Sequence, residues 1–289
     1  MSISNNDVHV TTTTVATATT TPPTITESCV ASTCYKNFVA SVKPADMEIK
    51  SLTVRDSVLK GRFNWLEGEV LNKMSGKVNK TFMLLRGDAV AILVLIVNKS
   101  QNYILVTEQL RAPTGGIRHE AVAGMMDDDG VASGVAIKEM EEETGIVVKP
   151  DELFEIGSYY SSQGIMDEKI RCFFMRRDMT DAQLAELTSK LHGEGDFEAI
   201  RLRLIPATWT EIIKTQDAKL ISCYAMYQDF IAKNDAKSQE QSNAEILADA
   251  KSARAKGEDF GDALMKGMIA DLTKRGRPLT YSEMRDMYG

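Results

Sequence analysis

The chain has 289 residues, of which 43% are hydrophobic and 26% charged, so its length suits one large domain with extensions or two small domains. Its formal net charge of -7 argues against a broad basic surface, so no nucleic-acid partner is expected. The longest apolar run, residues 89–97, is far shorter than the roughly 18 residues that a membrane-spanning helix needs. We therefore predict a buried strand there and no membrane association.

The first 45 residues differ in composition from the rest of the chain. Ten of the sixteen residues from 11 to 26 are Thr, which offers little to bury and predicts a disordered tail over residues 1–45. An organelle transit peptide is also rich in Ser and Thr, but transit peptides use arginine and the first one here is Arg55. Four cysteines are too few for a disulfide scaffold, so we predict a cytoplasmic protein, with organelle targeting by the tail as the alternative.

Regular patterns begin near residue 46 and predict one domain over residues 46–233. Strands are expected at 48–54, 63–71, 80–85, 89–97, 103–108, 153–160, 169–175 and 198–205, and helices at 132–144, 181–191 and 209–232. Strands and helices that mix without strict alternation indicate an α/β or α+β fold and not a doubly wound sheet. Residues 234–289 are rich in Ala, Lys, Glu, Gln and Ser and predict a helical C-terminal extension.

The predicted helix at 132–144 has an unusual distribution of charge. Seven acidic residues and one lysine lie between Gly124 and Glu143, a local charge of -6. On the helix, one apolar face continues into Glu139, Glu142 and Glu143, which repel one another and oppose the helix dipole near its C-terminus. A divalent cation with oxygen ligands would remove both penalties. A solvated acidic helix is the alternative that charge alone leaves open.

The spacing in this segment resembles the box of the Nudix hydrolase family, G-x5-E-x7-R-E-U-x-E-E-x-G-U, where U is a bulky apolar residue. The residues in register are Gly124, Glu139, Met140, Glu142, Glu143, Gly145 and Ile146. Two positions depart from the pattern, because Gly130 stands for the first Glu and Lys138 for the Arg. The Lys can still hold a glutamate by a charge pair, although not bidentately. The resemblance implies a Nudix fold, a mixed-sheet α/β/α sandwich in which the box is a loop-helix-loop.

Flanking segments resemble one branch of the family, the ADP-sugar and UDP-sugar diphosphatases and ADP-ribose pyrophosphatases. They are T-E-Q-L-R at 107–111, H-E-A-V-A-G at 119–124 and D-A-K-L at 217–220. This implies an enzyme that hydrolyses the pyrophosphate bond of a nucleoside diphosphate-sugar to nucleoside monophosphate and sugar 1-phosphate. The alternatives are an ADP-ribose pyrophosphatase and an inactive nucleotide-binding module. The branch also implies a homodimer in which the extra N-terminal strands pack on a second subunit.

The resemblance assigns metal ligands. It implies Mg²⁺, with Mn²⁺ as a substitute, held by Glu139, Glu143 and the backbone carbonyl of Ala123, with Glu142 binding directly or through water. The same glutamates are therefore expected to be essential for catalysis.

Three further residues outside the helix are predicted to act on the substrate. The general base is expected in the loop at 161–169, where Glu168 is the first choice and Asp167 the second; ordinary surface acids are the alternative. Arg111 is the predicted phosphate contact, because its planar guanidinium matches phosphate oxygens, although an ion pair at a strand end would explain it too. Glu120 is predicted either to ligate a second metal ion or to orient Arg111.

Overall fold

The structure is a computed structural model. It describes residues 29, 31–99, 101–126, 131–193 and 199–256, together with seven residues between 263 and 271. The chain divides into two compact units. The first unit comprises Met1–Asp88 and Tyr160–Lys169, and the second unit comprises Ala89–Tyr159 and Ile170–Gly289.

The described residues of the first unit include a three-stranded antiparallel sheet and an α-helix. The strands follow one another in space as in sequence, and they are β1 (Met47–Val58), β2 (Phe63–Asn72) and β3 (Lys77–Leu85). The helix α1 spans Thr33–Ser41. Its small core consists of Cys29, Cys34, Val54, Leu66 and Leu85. The segment after Tyr160 adds to β3, because the backbone N–H of Leu84 donates to the carbonyl of Ile165 at 2.7 Å.

Helix α1 lies inside the segment for which the sequence predicted disorder, and the prediction over 1–45 needs this correction. The Ser32 side chain caps the helix by accepting a hydrogen bond from the backbone N–H of Tyr35. Cys34 is buried in the core of the first unit, and this burial stabilises a segment whose composition alone offered little to bury. Residues 1–28, which contain the Thr-rich run, lie outside the described part of the chain.

The second unit is built on a mixed sheet. Its strands are β4 (Ala89–Asn98), β5 (Gln101–Arg111), β6 (Gly116–Glu120), β7 (Val122–Met125), β8 (Phe154–Tyr160), β9 (Lys169–Asp178), β10 (Leu191–His192) and β11 (Ile200–Pro206). The last residue of β8, Tyr160, and the first residue of β9, Lys169, are assigned to the first unit. The spatial order is β10-β11-β5-β4-β9-β8, with β6 also paired to β5 and β7 to β4. Strands β4 and β9 are parallel, whereas β4 and β5 are antiparallel. The helices are α2 (Ala132–Thr144), α3 (Asp181–Ser189), α4 (Trp209–Thr215) and α5 (Ala218–Ala255).

Strand β4 is apolar from Ala89 to Val97, because helices cover both of its faces. Its residues at even positions pack with α2, in a cluster that includes Val90, Ile92, Val94, Ile96, Ala132, Ala136 and Met140. Its residues at odd positions pack with α4 and α5, in a cluster that includes Ala89, Ala91, Leu93, Leu95, Ile212, Leu220 and Cys223. The second unit is therefore an α/β/α sandwich, and the predicted mixed α/β fold is confirmed.

The helix predicted at 209–232 is two helices, and the second one runs past the predicted domain boundary. Helix α4 ends at Gln216, which adopts a left-handed conformation with φ of 59°. Helix α5 then continues without a break to Ala255, so the backbone shows no division at residues 233 and 234. Beyond it, the described residues between 263 and 271 are helical, and Gly267 lies against Ile246 of α5. Among the described helices, none is long and apolar enough to cross a membrane.

Candidate active site on helix α2

Helix α2 presents the box glutamates beside its buried stripe. Ala132, Ala136 and Met140 are four residues apart and fully buried against the sheet, which fixes the rotation of the helix. Glu139 and Glu143 lie next to this stripe, so they are drawn toward the sheet, whereas Glu141 on the other side is exposed. The helix stops at Gly145, where a left-handed φ of 72° favours glycine.

Glu139 lies directly against Gly124 of β7. A Cβ atom built on Gly124 would be 1.8 Å from Oε1 of Glu139 and 1.9 Å from its Cδ. Any side chain at position 124 would therefore occupy the space of this carboxylate. This contact gives the spacing of the glycine and the glutamate in the box a physical reason, since the glycine makes room for the carboxylate beside the backbone.

Glu143 is buried, and each of its carboxylate oxygens accepts a hydrogen bond. Oε2 accepts from the backbone N–H of Ala123 at 3.2 Å, and Oε1 accepts from the side chain of Gln109 at 3.4 Å. Gln109 also donates to the hydroxyl of Thr107 at 3.2 Å. Strands β5 and β7 thus hold a buried carboxylate in one orientation, as an outer shell of donors commonly does for a ligating group.

Glu142 is held on the outer side of the helix. Lys138 contacts its Oε1 at 3.0 Å, so the lysine that replaces the arginine of the box does make a charge pair with a glutamate one turn later. The backbone carbonyl of Glu142 accepts a hydrogen bond from the N–H of Gly193 at 3.2 Å. The C-terminal turn of α2 is therefore fixed from outside as well as from the core. The second departure, Gly130, lies outside the described residues.

The donors on α2 suit a hard divalent cation, although the described residues show no ready-made centre. No group of three His, Cys, Asp or Glu side chains among them is arranged to hold a metal ion. The donor chemistry nevertheless fits, because Glu139 and Glu143 both meet the backbone of β7 and offer only oxygen atoms, which Mg²⁺ prefers.

A charged network lies at the ends of β5 and β6. Arg111 donates from Nε and Nη2 to the two carboxylate oxygens of Glu120, at 2.7 and 2.9 Å. Lys219 of α5 contacts Oε2 of the same carboxylate at 2.8 Å. Burial alone would raise the pKa of Glu120, but the two cations outweigh burial and lower that pKa to about 2. Glu120 and Arg111 thus form a two-point ion pair in this structure, and the role of Glu120 toward a substrate or a metal ion stays a prediction.

The predicted base lies in the first unit, in the loop after Tyr160. Glu168 is buried, and its Oε2 accepts from the hydroxyl of Ser161 at 2.6 Å while its Oε1 pairs with Arg86 at 3.0 Å. Its neighbour Asp167 accepts from the backbone N–H groups of Arg86 and Gly87, at 2.8 and 3.3 Å. Burial raises the pKa of Asp167.

Sequence reasoning assigned no role to Gln109, Lys219 or Asp217, or to Arg86 beside Glu168. The signal is present for all four, because each stands in a segment that resembles the same branch: Arg86 in 82–93, Gln109 in 107–111, and Asp217 and Lys219 in 217–220. What sequence could not give was their partners, because Lys219 and Glu120 are 99 positions apart.

Comparison with known proteins agrees with the box. The family model that describes the NUDIX domain matches residues 86–220. The Arabidopsis thaliana protein named Nudix hydrolase 14, chloroplastic, is 31% identical over 201 residues, which cover 62% of this chain and 63% of that protein. The ADP-ribose pyrophosphatase of Bacillus subtilis (strain 168) is 28% identical over 119 residues, which cover 41% of this chain and 62% of that protein. The matches thus span less than two thirds of either relative.

A solved structure supports the fold independently. A crystal structure of an ADP compounds hydrolase superposes with a TM-score of 0.50 at 11% identity, and the match covers 67% of this chain and 98% of that chain. At this identity the likeness shows the fold alone. Together with the family match, it confirms the resemblance drawn from the box.

Proposed function

We propose that the chain, whose residues 86–220 match the NUDIX domain, hydrolyses the pyrophosphate bond of a nucleoside diphosphate-sugar, an ADP-sugar or a UDP-sugar, to nucleoside monophosphate and sugar 1-phosphate. The observation that carries the proposal is the packing of Glu139 and Glu143 on the backbone of β7. Two carboxylates brought close to one strand are costly unless a cation balances them. A metal ion that binds here for a reaction at a phosphoryl group would balance the two carboxylates.

Residues of α2 and β7 would hold the metal ion. Glu139, Glu143 and the carbonyl of Ala123 are the proposed ligands, with Glu142 beside them, and the ion is Mg²⁺ or its substitute Mn²⁺. When bound, the ion supplies charge neutralisation to the phosphoryl oxygens and makes water a better nucleophile. Gln109 and the backbone N–H of Ala123 orient the carboxylate of Glu143 for the ion.

Two other segments would act on the substrate itself. Arg111 binds phosphoryl oxygens, and Glu120 fixes its guanidinium through two parallel hydrogen bonds. Glu168 accepts the proton of the attacking water, with Asp167 as the second candidate. Ser161 and Arg86 each contact one oxygen of Glu168 in this structure, so they orient its carboxylate.

An ADP-ribose pyrophosphatase is the second candidate function. It is supported by the name of the Bacillus subtilis relative. An inactive nucleotide-binding module is less well supported, because the Lys138–Glu142 pair shows that the substituted lysine contacts a box glutamate.

A substrate panel tests the proposal. The protein is incubated with Mg²⁺ and an ADP-sugar, a UDP-sugar or ADP-ribose, and a phosphatase converts the monophosphate products to phosphate for detection. We expect turnover of a nucleotide sugar that stops in excess EDTA. Turnover of ADP-ribose alone would select the second candidate, and turnover in excess chelator would refute the metal site.

A homodimer is proposed for the first unit. Its sheet exposes Trp65, Val78 and Phe82 on the face opposite Leu66, with 37 to 52% of each residue accessible. These exposed apolar side chains lie on a face that also carries Glu67, Glu69 and Lys80, and such a mixed face suits a second copy of the chain.

The location of the protein stays a prediction between two alternatives. The chloroplastic name of the Arabidopsis relative supports the organelle alternative over the cytoplasmic one. A fluorescent protein fused after residue 45 would distinguish them by its position in the cell.

A further inference from the structure

Four charged side chains meet where helix α5 begins, and none of the four is a box glutamate. They form a chain from the interior outward, in which Asp217 and Glu120 are 9% exposed at the side chain, Lys219 is 22% exposed and Arg111 is 42% exposed. Lys219 links them, because its Nζ lies 2.8 Å from Oε2 of Glu120 and 3.4 Å from Oδ1 of Asp217.

Asp217 is satisfied mainly by backbone groups. Its Oδ2 accepts from the N–H groups of Ala121 and Leu220, at 2.9 and 3.1 Å, and its Oδ1 accepts from the N–H of Lys219 at 3.3 Å. Two of these donors belong to the first turn of α5, whose dipole also favours a negative charge. Backbone donors thus stabilise the charge of Asp217 together with Lys219, and the lysine Nζ lies closer to Glu120 than to Asp217.

Without Lys219, the negative charge of Glu120 would cancel the positive charge of Arg111. The bidentate pair of Arg111 and Glu120 carries no net charge, so by itself it attracts a phosphoryl group weakly. With Lys219, the positive charges among Arg111, Glu120 and Lys219 exceed the negative ones by one, while the charge of Asp217 is stabilised by three backbone N–H groups. Glu120 still accepts from the Nε and Nη2 edge of the guanidinium. The far edge of the guanidinium is directed away from the carboxylate, which is the geometry that planar recognition of phosphate needs.

We propose that Lys219 is a positioning residue for anion binding: it neutralises Glu120, so that Glu120 fixes Arg111 without cancelling its attraction for the phosphoryl groups of a diphosphate. Lys219 itself does not contact the anion. The inference rests on one part of the proposed function, the binding of phosphoryl oxygens by Arg111. It does not require that the protein hydrolyses a nucleotide sugar. A purely structural role, in which the network only anchors α5 to β6 and β7, is the alternative.

Inorganic pyrophosphate is the probe that separates these roles. Its dissociation constant is measured by titration calorimetry in EDTA, so that neither metal nor turnover enters. We expect Lys219→Met to weaken binding by about tenfold or more, because the unneutralised Glu120 then offsets Arg111. Lys219→Arg should recover most of the affinity. Lys233→Met is the matched control, since Lys233 is an exposed residue of the same helix that pairs with Asp229, and it should bind as the wild type does.

Coupling to Arg111 gives a second readout that a structural role would not move. Arg111→Ala alone and Arg111→Ala with Lys219→Met should bind pyrophosphate equally weakly, because Lys219 acts through Arg111. If Lys219→Met fails to fold, Lys219→Met with Glu120→Gln avoids an unpaired buried carboxylate. Because no charge at position 120 then offsets Arg111, this double variant should recover much of the affinity for pyrophosphate, and binding far weaker than that of Glu120→Gln alone would contradict the neutralising role.

Two further results would overturn the proposal. One is a lowered melting temperature of Lys219→Met with unchanged pyrophosphate affinity, and the other is no measurable affinity of the wild type for pyrophosphate. A wild type that binds pyrophosphate through Lys219 but hydrolyses no nucleotide sugar would instead leave this inference standing and refute the proposed function.

Discussion

Replacing Gly124 by Ala tests whether the carboxylate of Glu139 must lie beside β7. The new Cβ would be 1.8 Å from Oε1 of Glu139, about 1.6 Å short of the 3.4 Å at which ordinary contact begins. Glu139 is the flexible partner, so the fold should survive while the carboxylate moves by more than 1 Å. A misplacement of this size can cost about 10²-fold in rate, and an altered ligand shell about 10- to 100-fold in metal affinity.

The assay is the initial rate of nucleotide-sugar hydrolysis as a function of Mg²⁺ concentration. We expect Gly124→Ala to have a lower kcat, a higher Mg²⁺ requirement and a nearly native melting temperature. Gly134→Ala is the matched control: it adds the same methyl group within α2, where nothing lies within 4 Å of the new Cβ. It should keep full activity and gain up to about 1 kcal/mol of helix stability. Native rate and Mg²⁺ dependence in Gly124→Ala would refute the reasoning.

Three further predictions concern the base, acid stability and assembly. Glu168→Gln should lower kcat by about 10²- to 10⁴-fold with little change in KM and should remove the acidic limb of the pH-rate profile. If Asp167→Asn has this effect instead, Asp167 is the base. Native rates in both variants would exclude both residues as the base. The pKa of Glu120 is lowered from its usual 4.5 to about 2, so its charged form stabilises the fold above pH 4.5 and this contribution is lost as the pH falls toward 2. Chemical denaturation across that range should therefore show a smaller loss of unfolding free energy for Glu120→Gln than for the wild type, and equal losses would contradict the assignment. Light scattering should give twice the monomer mass of 31.9 kDa, whereas a fully active monomer would exclude the dimer.

The parts of the fold that sequence predicted are those with a strong local signal. For the apolar run of β4 and the acidic helix α2, the pattern of about a dozen consecutive residues is enough to predict the element. Strands β6 and β7 were missed because they have only five and four residues and gain their stability from pairing with β5 and β4. The break at Gln216 was missed because a single left-handed residue leaves no trace in hydrophobic periodicity.

The candidate site shows the same division between local and distant information. The spacing of Glu139, Glu142 and Glu143 was enough to predict a metal-binding helix. The orientation of Glu143 depends on Gln109, which is 34 positions away, and the grip on Glu120 depends on Lys219, which is 99 positions away. Such pairs are set by strand pairing and helix packing, so they emerge only once the sheet is assembled.

The most direct test of the account compares the wild type with Glu143→Gln in the presence of Mg²⁺, with an ADP-sugar or a UDP-sugar as substrate and with the products identified by mass spectrometry. The account predicts nucleoside monophosphate and sugar 1-phosphate from the wild type, and a kcat at least about 10²-fold lower in a Glu143→Gln protein that melts at the native temperature. Equal rates in the two proteins would contradict it, because Glu143 would then be an ordinary buried acid and helix α2 would not carry the chemistry.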